Sequence, residues 1–266
     1  MPDLYCVNRR NETVSEKRQL WLSQIEKVCT TTDLNYIDIL VDQAAWQQPI
    51  VSSLQRMQPE IKWFSLFDDT PEEGLLEQAP LLMRVQLDIW QHKAWLSELM
   101  EHFSGTPRLL MLVSPLSFDL LCEHLRKISV AKWGEQFGLL RFYDTRVFPL
   151  LVTDVFNLEQ KKRLTDIALF WSWMDRDKSP VWLAGSFNPE VNFVMSDFEI
   201  SLDDNQFERI ACMSDAENIA SSERFRNNAF SKEHNFSHYY RVAVRITEQG
   251  FLGDIADFIE QHHLEC

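Results

Sequence analysis

The sequence predicts an α/β (α+β) chain, with a mixed sheet and flanking helices in its N-terminal lobe and a helical C-terminal lobe after it. Three observations lead there. Short β-branched and aromatic runs alternate with helix-periodic stretches up to about residue 185. Glycine is scarce, 7 in 266 residues, which leaves little room for long flexible linkers. Beyond residue 185 the strand-like runs fade while 3.6-residue periodicity persists. The boundary falls near residues 185–200, dividing residues 1–190 from a helical lobe, residues 191–266.

Thr13-Val14-Ser15-Glu16 has the form of a capping box, and Trp21, Leu22, Ile25, Val28 and Cys29 then share one helical face. Residues 34–41 (LNYIDILV) predict a covered strand. A helix over 45–57 follows, with Pro49 in its first turn, then a strand at 61–67 and the acidic turn DDTPEEG. A strand at 81–87 leads to a helix bearing Leu96, Leu99, Met100 and Phe103, stopped by Ser104-Gly105-Thr106-Pro107. Leu109–Val113 predicts a strand running into Ser114-Pro115, a helix start with Phe118, Leu121, Leu125 and Ile128 as its buried stripe. Residues 139–143 (LLRFY) predict a strand, followed by a short helix through Val147, Leu150 and Leu151. Asn157 with Gln160 caps a helix carrying Leu164, Ile167, Ala168 and Trp171. In the last third, Phe207, Ile210 and Ala211 mark one helix, and Tyr239, Val242, Ala243 and Ile246 a second that Gly250 ends. Ile255, Phe258 and Ile259 mark a third, capped by Asp254.

Composition excludes several function classes. The formal net charge of −14 repels phosphate backbones, so nucleic acid is not an expected partner, and the last 81 residues carry 15 acidic against 6 basic side chains. The five cysteines are scattered and never spaced CxxC, which argues against a disulfide framework or a zinc site; Cys29 and Cys122 fall on apolar helix faces. The start MPDLYCVNRRNETV has no apolar signal region and no apolar run reaches membrane-spanning length, so a cytoplasmic protein without a membrane partner is expected. The 18 Phe and 9 Trp suit an aromatic core first and an interface second.

Catalytic signatures are missing: there is no GxSxG, P-loop, GxGxxG or HExxH pattern, so no enzyme, cofactor or metal is expected. Asp68, Asp69, Glu72 and Glu73 lack the spacing of a calcium loop and suit an exposed turn. His234 and His238 stand one helical turn apart without a third ligand in view, and His262-His263 suit a solvated helix end. The most distinctive stretch is LLRFYDTRV, residues 139–147. There Arg141 and Arg146 flank Asp144, which is placed to cap the following helix and to pair with either guanidinium. These three residues are the candidate binding site, as a polar network fixing a junction or as an anion site.

RFYDTRVFPLL resembles the arginine–aromatic–aspartate–x–arginine motif of a family catalogued as a domain of unknown function and encoded beside type VI secretion effectors. YIDILVDQA, WFSLFDDTPEEGLLEQAPLLMRV and LLMLVSPLSFDLLCEHLRK resemble further landmarks in the same order, over residues 34–155 and more loosely to 185. Where family members often have small residues after the aspartate, this chain has Gln43-Ala44-Ala45. The resemblance implies a non-catalytic adaptor or chaperone. Its partners would be a cognate type VI secretion effector and the valine-glycine repeat (VgrG) spike protein onto which the effector is loaded. The competing readings are a metal-dependent hydrolase that is itself the secreted toxin, and an acidic immunity or structural protein that masks a basic toxin.

Overall fold

A computed structural model of the chain describes residues 13–47, 50–187, 189, 198–251 and 253–264. Its centre is a six-stranded sheet of order β2-β3-β1-β4-β7-β8. The strands are β1 (Tyr36–Asp42), β2 (Lys62–Ser65), β3 (Pro80–Gln86), β4 (Leu109–Val113), β7 (Phe170–Met174) and β8 (Pro180–Ala184). Every pairing within it is antiparallel. The α+β class holds, and parallel pairing is confined to a second sheet of three short strands. There β5 (Val130–Trp133) pairs antiparallel with β6 (Gln136–Leu139) and parallel with β9 (Ile200–Leu202).

The central strands are apolar almost throughout because both faces of the large sheet are covered. Ile37, Ile39 and Val41 of β1, with Leu81, Met83 and Val85 of β3 and Leu109, Met111 and Val113 of β4, share one core. Helices α1 (Val14–Thr31), α2 (Val51–Arg56) and α3 (Trp90–His102) close that face through Trp21, Ile25, Leu54, Leu96 and Leu99. On the other face lie Leu40, Leu82, Leu110, Leu112, Trp171 and Trp173. They pack with α4 (Phe118–Ile128), α6 (Leu158–Thr165), α7 (Asp204–Ser221), α8 (Lys232–Glu248) and α9 (Ile255–Gln261) in one continuous core. The helices after residue 200 therefore bury their apolar faces in the same core as the sheet. Period-2 alternation puts Asp38 and Asp42 on this second face as well.

Capping boxes form at Thr13/Glu16 and Asn157/Gln160, and Asp254 accepts from the Asp257 N–H, as the sequence predicts. Gly105 and Gly250 follow their helices at φ +77° and +75°, a backbone region open to glycine at little cost. Ala45 stands at φ +56°, a left-handed backbone position that residues with a side chain adopt uncommonly.

Five expectations are corrected. The helix after β4 starts at Ser117, whose hydroxyl accepts from the Leu120 N–H; the Ser114 hydroxyl instead donates to the Ile167 carbonyl at 2.5 Å. The predicted strand at 139–143 belongs three residues earlier, in β6, and residues 140–147 form turns closed by backbone bonds such as Asp144 N–H to Arg141 O. The helix predicted over 45–57 occupies only Val51–Arg56, and Pro49 lies outside the described residues. The helix from Leu158 ends at Thr165, so Ile167 and Ala168 lie in a connection and Trp171 in β7. A short α5 (Phe148–Leu150) continues into a wider π-helical turn, Leu151–Val155, in place of one regular helix.

Candidate functional site

Arg141, Asp144 and Arg146 do not form one triad. Asp144 is buried, and its Oδ1 accepts the Arg146 backbone N–H at 2.9 Å and Nε at 3.0 Å, while Oδ2 accepts Nη2 at 2.7 Å. This side chain closes an Asx turn rather than capping a helix; its backbone carbonyl receives the Val147 and Phe148 N–H groups. Arg141 turns the other way and donates to Asp42 Oδ2 at 2.5 Å. Asp42 Oδ1 accepts from the Ala44 N–H, and Arg108 donates to the carbonyls of Asp42 and Ala44 while lying over the Trp46 ring. Burial pushes the Tyr143 hydroxyl well above its ordinary pKa, and Asp42 adds to the shift. Each buried carboxylate is thus held by its own arginine, at the point where β1 and the 140–147 turns meet.

Arg176, in the β7–β8 turn, ties this region to the helices. It donates to Glu217 of α7 at 2.9 Å and to Glu233 of α8 at 3.2 Å, and its guanidinium lies 3.3 Å from the centre of the Phe236 ring. Beside it opens a cleft of about 360 Å³ between the loop before β4, the β7–β8 turn and the ends of α7 and α8. Its wall includes Arg146, Arg176, Lys178, Arg226 and Lys232, against two carboxylates, Asp175 and Glu217. Arg146 is therefore on a site wall, whereas Arg141 belongs to the network behind it.

A second surface went unnoticed in the sequence. In the β5–β6 hairpin, Phe137 is 62% and Leu139 39% exposed, and period 2 puts both on one face with Val130 and Lys132 across the strand pair. Trp133, on the opposite face, stacks on Phe207 of α7 at 4.0 Å between centroids, and both rings remain partly open to solvent. β6 is an edge strand, with β5 on one side and no described strand on the other. The alternation of Phe137 and Leu139 around Gly138 was the available signal, masked by reading the strand as starting at residue 139.

Three of the remaining sequence candidates have structural partners. Asp69 pairs with Arg126 at 3.4 Å, His238 bonds the Leu264 carbonyl, and His234 stacks on Phe230. Cys29 and Cys122 are buried, and burial pushes both thiols up to about 12. Among the described residues no three His, Cys, Asp or Glu side chains converge on a point that would hold a metal ion, and no helix is long and apolar enough to cross a membrane.

Residues 39–163, just under half of the chain, match the family model described as Domain of unknown function (DUF4123). No curated protein and no solved structure matches the chain.

Proposed function

We infer that the chain is a non-catalytic adaptor that binds a type VI secretion effector and promotes its loading onto the VgrG spike protein. The observation that carries this reading is the exposed apolar edge strand β6, with Phe137 and Leu139 facing outward, inside the span matched by the family model. An unpaired edge offers backbone N–H and C=O groups, and two apolar side chains beside it give an extended partner segment somewhere to bury its own. Soluble chains usually blunt such edges with charge or proline. Here Lys132, across the strand pair from Phe137, brings its ammonium 5.5 Å from that ring centre. The resemblance carried by the four ordered sequence landmarks supports a type VI secretion effector as the partner. The rival hydrolase reading needs carboxylates that converge on a metal, whereas Asp42 and Asp144 are each engaged by a separate arginine.

Co-expression with the effector encoded beside the gene tests the reading. The pair should co-elute on size exclusion, and Phe137→Ser with Leu139→Ser should abolish co-elution while leaving the melting temperature of the chain within a few degrees. Deleting the gene should stop delivery of that effector and spare an unrelated effector of the same apparatus. Loss of both would indicate a structural part of the machine, and loss of neither would defeat the reading.

A further inference from the structure

We propose that the cationic cleft between the sheet and the α7–α8 helices docks an acidic stretch of the partner polypeptide, with Lys178, Arg226 and Lys232 receiving its carboxylates. The proposal rests on the adaptor reading and gives the partner a second, chemically distinct contact.

The cations of the cleft divide into two groups. Arg146 is matched by Asp144, and Arg176 by Glu217 and Glu233. Among the described residues the side chains of Lys178, Arg226 and Lys232 form no ion pair; the Asp177 carboxylate nearby accepts the Lys232 backbone N–H at 2.8 Å, and Arg226 Nε donates to the Asn228 amide oxygen at 3.1 Å. In a chain of net charge −14, with acidic side chains outnumbering basic ones, three cations left unmatched around one concavity run against the prevailing electrostatics. The placement of Lys178 is built in. It occupies a turn position at φ +59°, and its side chain lies against Gly105, where an added Cβ would come 2.7 Å from Nζ. A glycine at residue 105 therefore keeps open the space that the ammonium uses.

The shape selects among anions. A volume of about 360 Å³ lies near the lower end of ligand pockets, roughly 300–1,000 Å³, enough for a few residues of extended chain. Pro107, Met174 and Ala220 give the wall apolar patches between the charges, and no aromatic ring lines it on which a nucleotide base would stack. Carboxylate side chains spaced along a backbone fit charged groups contributed by the β7–β8 turn, the α7–α8 connection and the first residue of α8; a lone phosphate would reach only part of the set.

The test uses the full chain and a fluorescein-labelled eight-residue peptide of alternating Asp and Ala, with a Lys-for-Asp peptide as control. The acidic peptide should bind, and binding should weaken as salt rises. Affinity should fall roughly threefold in Lys178→Gln or Lys232→Gln and about tenfold in the double variant, as expected for partly exposed ion pairs. Lys27→Gln, on α1, should bind like the parent. Melting curves confirm that the variants are folded, and Arg226→Gln provides an independent variant if Lys178→Gln is not. Equal binding of both peptides, no binding of either, or unchanged affinity in the double variant would overturn the proposal. Displacement of the peptide by equimolar inorganic phosphate would overturn its assignment to a polypeptide. Effector capture that survives while peptide binding fails removes the cleft proposal alone, since the edge-strand variants test the adaptor reading separately.

Discussion

The Asp144 carboxylate accepts three hydrogen bonds from Arg146, from the backbone N–H at 2.9 Å, Nε at 3.0 Å and Nη2 at 2.7 Å. Two of these need a charge on the acid to be strong, and one needs only an acceptor oxygen. Asp144→Ala removes all three and should cost about 1–3 kcal/mol. Asp144→Asn keeps an oxygen for the backbone N–H and should cost less, about 1 kcal/mol. Urea denaturation at constant m-value reads both. Equal midpoints for Asp144→Ala and the parent would show that the turn holds without its side chain.

Arg176 bonds the β7–β8 turn to both α7 and α8, and only 11% of its side chain is exposed. Arg176→Lys keeps the charge but loses the planar fork and the stack on Phe236, so it should not rescue the loss seen in Arg176→Ala. Both variants should lose about 2–3 kcal/mol and expose the α7–α8 pair first. Hydrogen exchange would register this as faster exchange in α8 than in β1. Uniform acceleration across the chain would refute a local latch.

Strands β1, β3 and β4 were legible because burial on both faces leaves uninterrupted apolar runs bounded by turns. The antiparallel order of the large sheet was not, since the helices between strands mimic crossover units. Strand β7 was hidden for a different reason. Leu164, Ile167, Ala168 and Trp171 fall at helical spacing, although the chain leaves the helix at Thr165. Trp171 then faces one core while Ser172 faces the other and accepts the Trp21 indole N–H at 2.7 Å. At the candidate site, the Asp144–Arg146 pair is local and could be read. The Arg141 partner is Asp42, 99 residues earlier in the chain, and no local pattern points to it. The cleft escapes notice for the same reason, since Lys178 of the β7–β8 turn meets Arg226 and Lys232, from the α7–α8 connection and the start of α8, only in the fold.

His124 gives the fold a pH dependence. Burial lowers its pKa from 6.5 to about 4, the Arg163 carbonyl bond opposes that shift, and the Arg163 and Lys127 charges add to it. The folded value lies below the unfolded one, so this group's contribution is present in full above pH 6.5. It is lost as pH falls through about 4, because the unfolded chain takes up the proton first. The contribution lost across that window is about 3 kcal/mol. His124→Gln keeps a donor for the Arg163 carbonyl, which lies 2.7 Å from Nε2, and cannot titrate. Its stability should therefore fall less than that of the parent between pH 7 and pH 4.5. Parallel stability profiles for the two proteins would rule out the linkage.

Asp38 and Arg84 face each other across the β1–β3 register, with Nε to Oδ1 at 2.7 Å and Nη2 to Oδ2 at 2.8 Å. Asp38 is fully buried, and desolvation pushes its pKa up to about 6 against the pull of Arg84. Arg84 is further held by a bond to the Leu116 carbonyl at 3.0 Å and by the Tyr36 ring, 4.0 Å from its guanidinium carbon. Taking two charges into a core costs solvation that their attraction only partly offsets, so the pair as a whole contributes little net stability. Breaking it is another matter. Asp38→Leu strands a cation among apolar side chains, and Arg84→Met strands a carboxylate on the covered face of β1; each should cost about 3–5 kcal/mol. The double variant removes both charges and fills the space with apolar atoms of similar volume. It should recover most of that loss, leaving the Leu116 carbonyl as the remaining unpaired group. A double-mutant cycle by urea denaturation measures the coupling. If the double variant is destabilised by the sum of the two single changes, the residues act independently and the buried-pair account of the β1–β3 register fails.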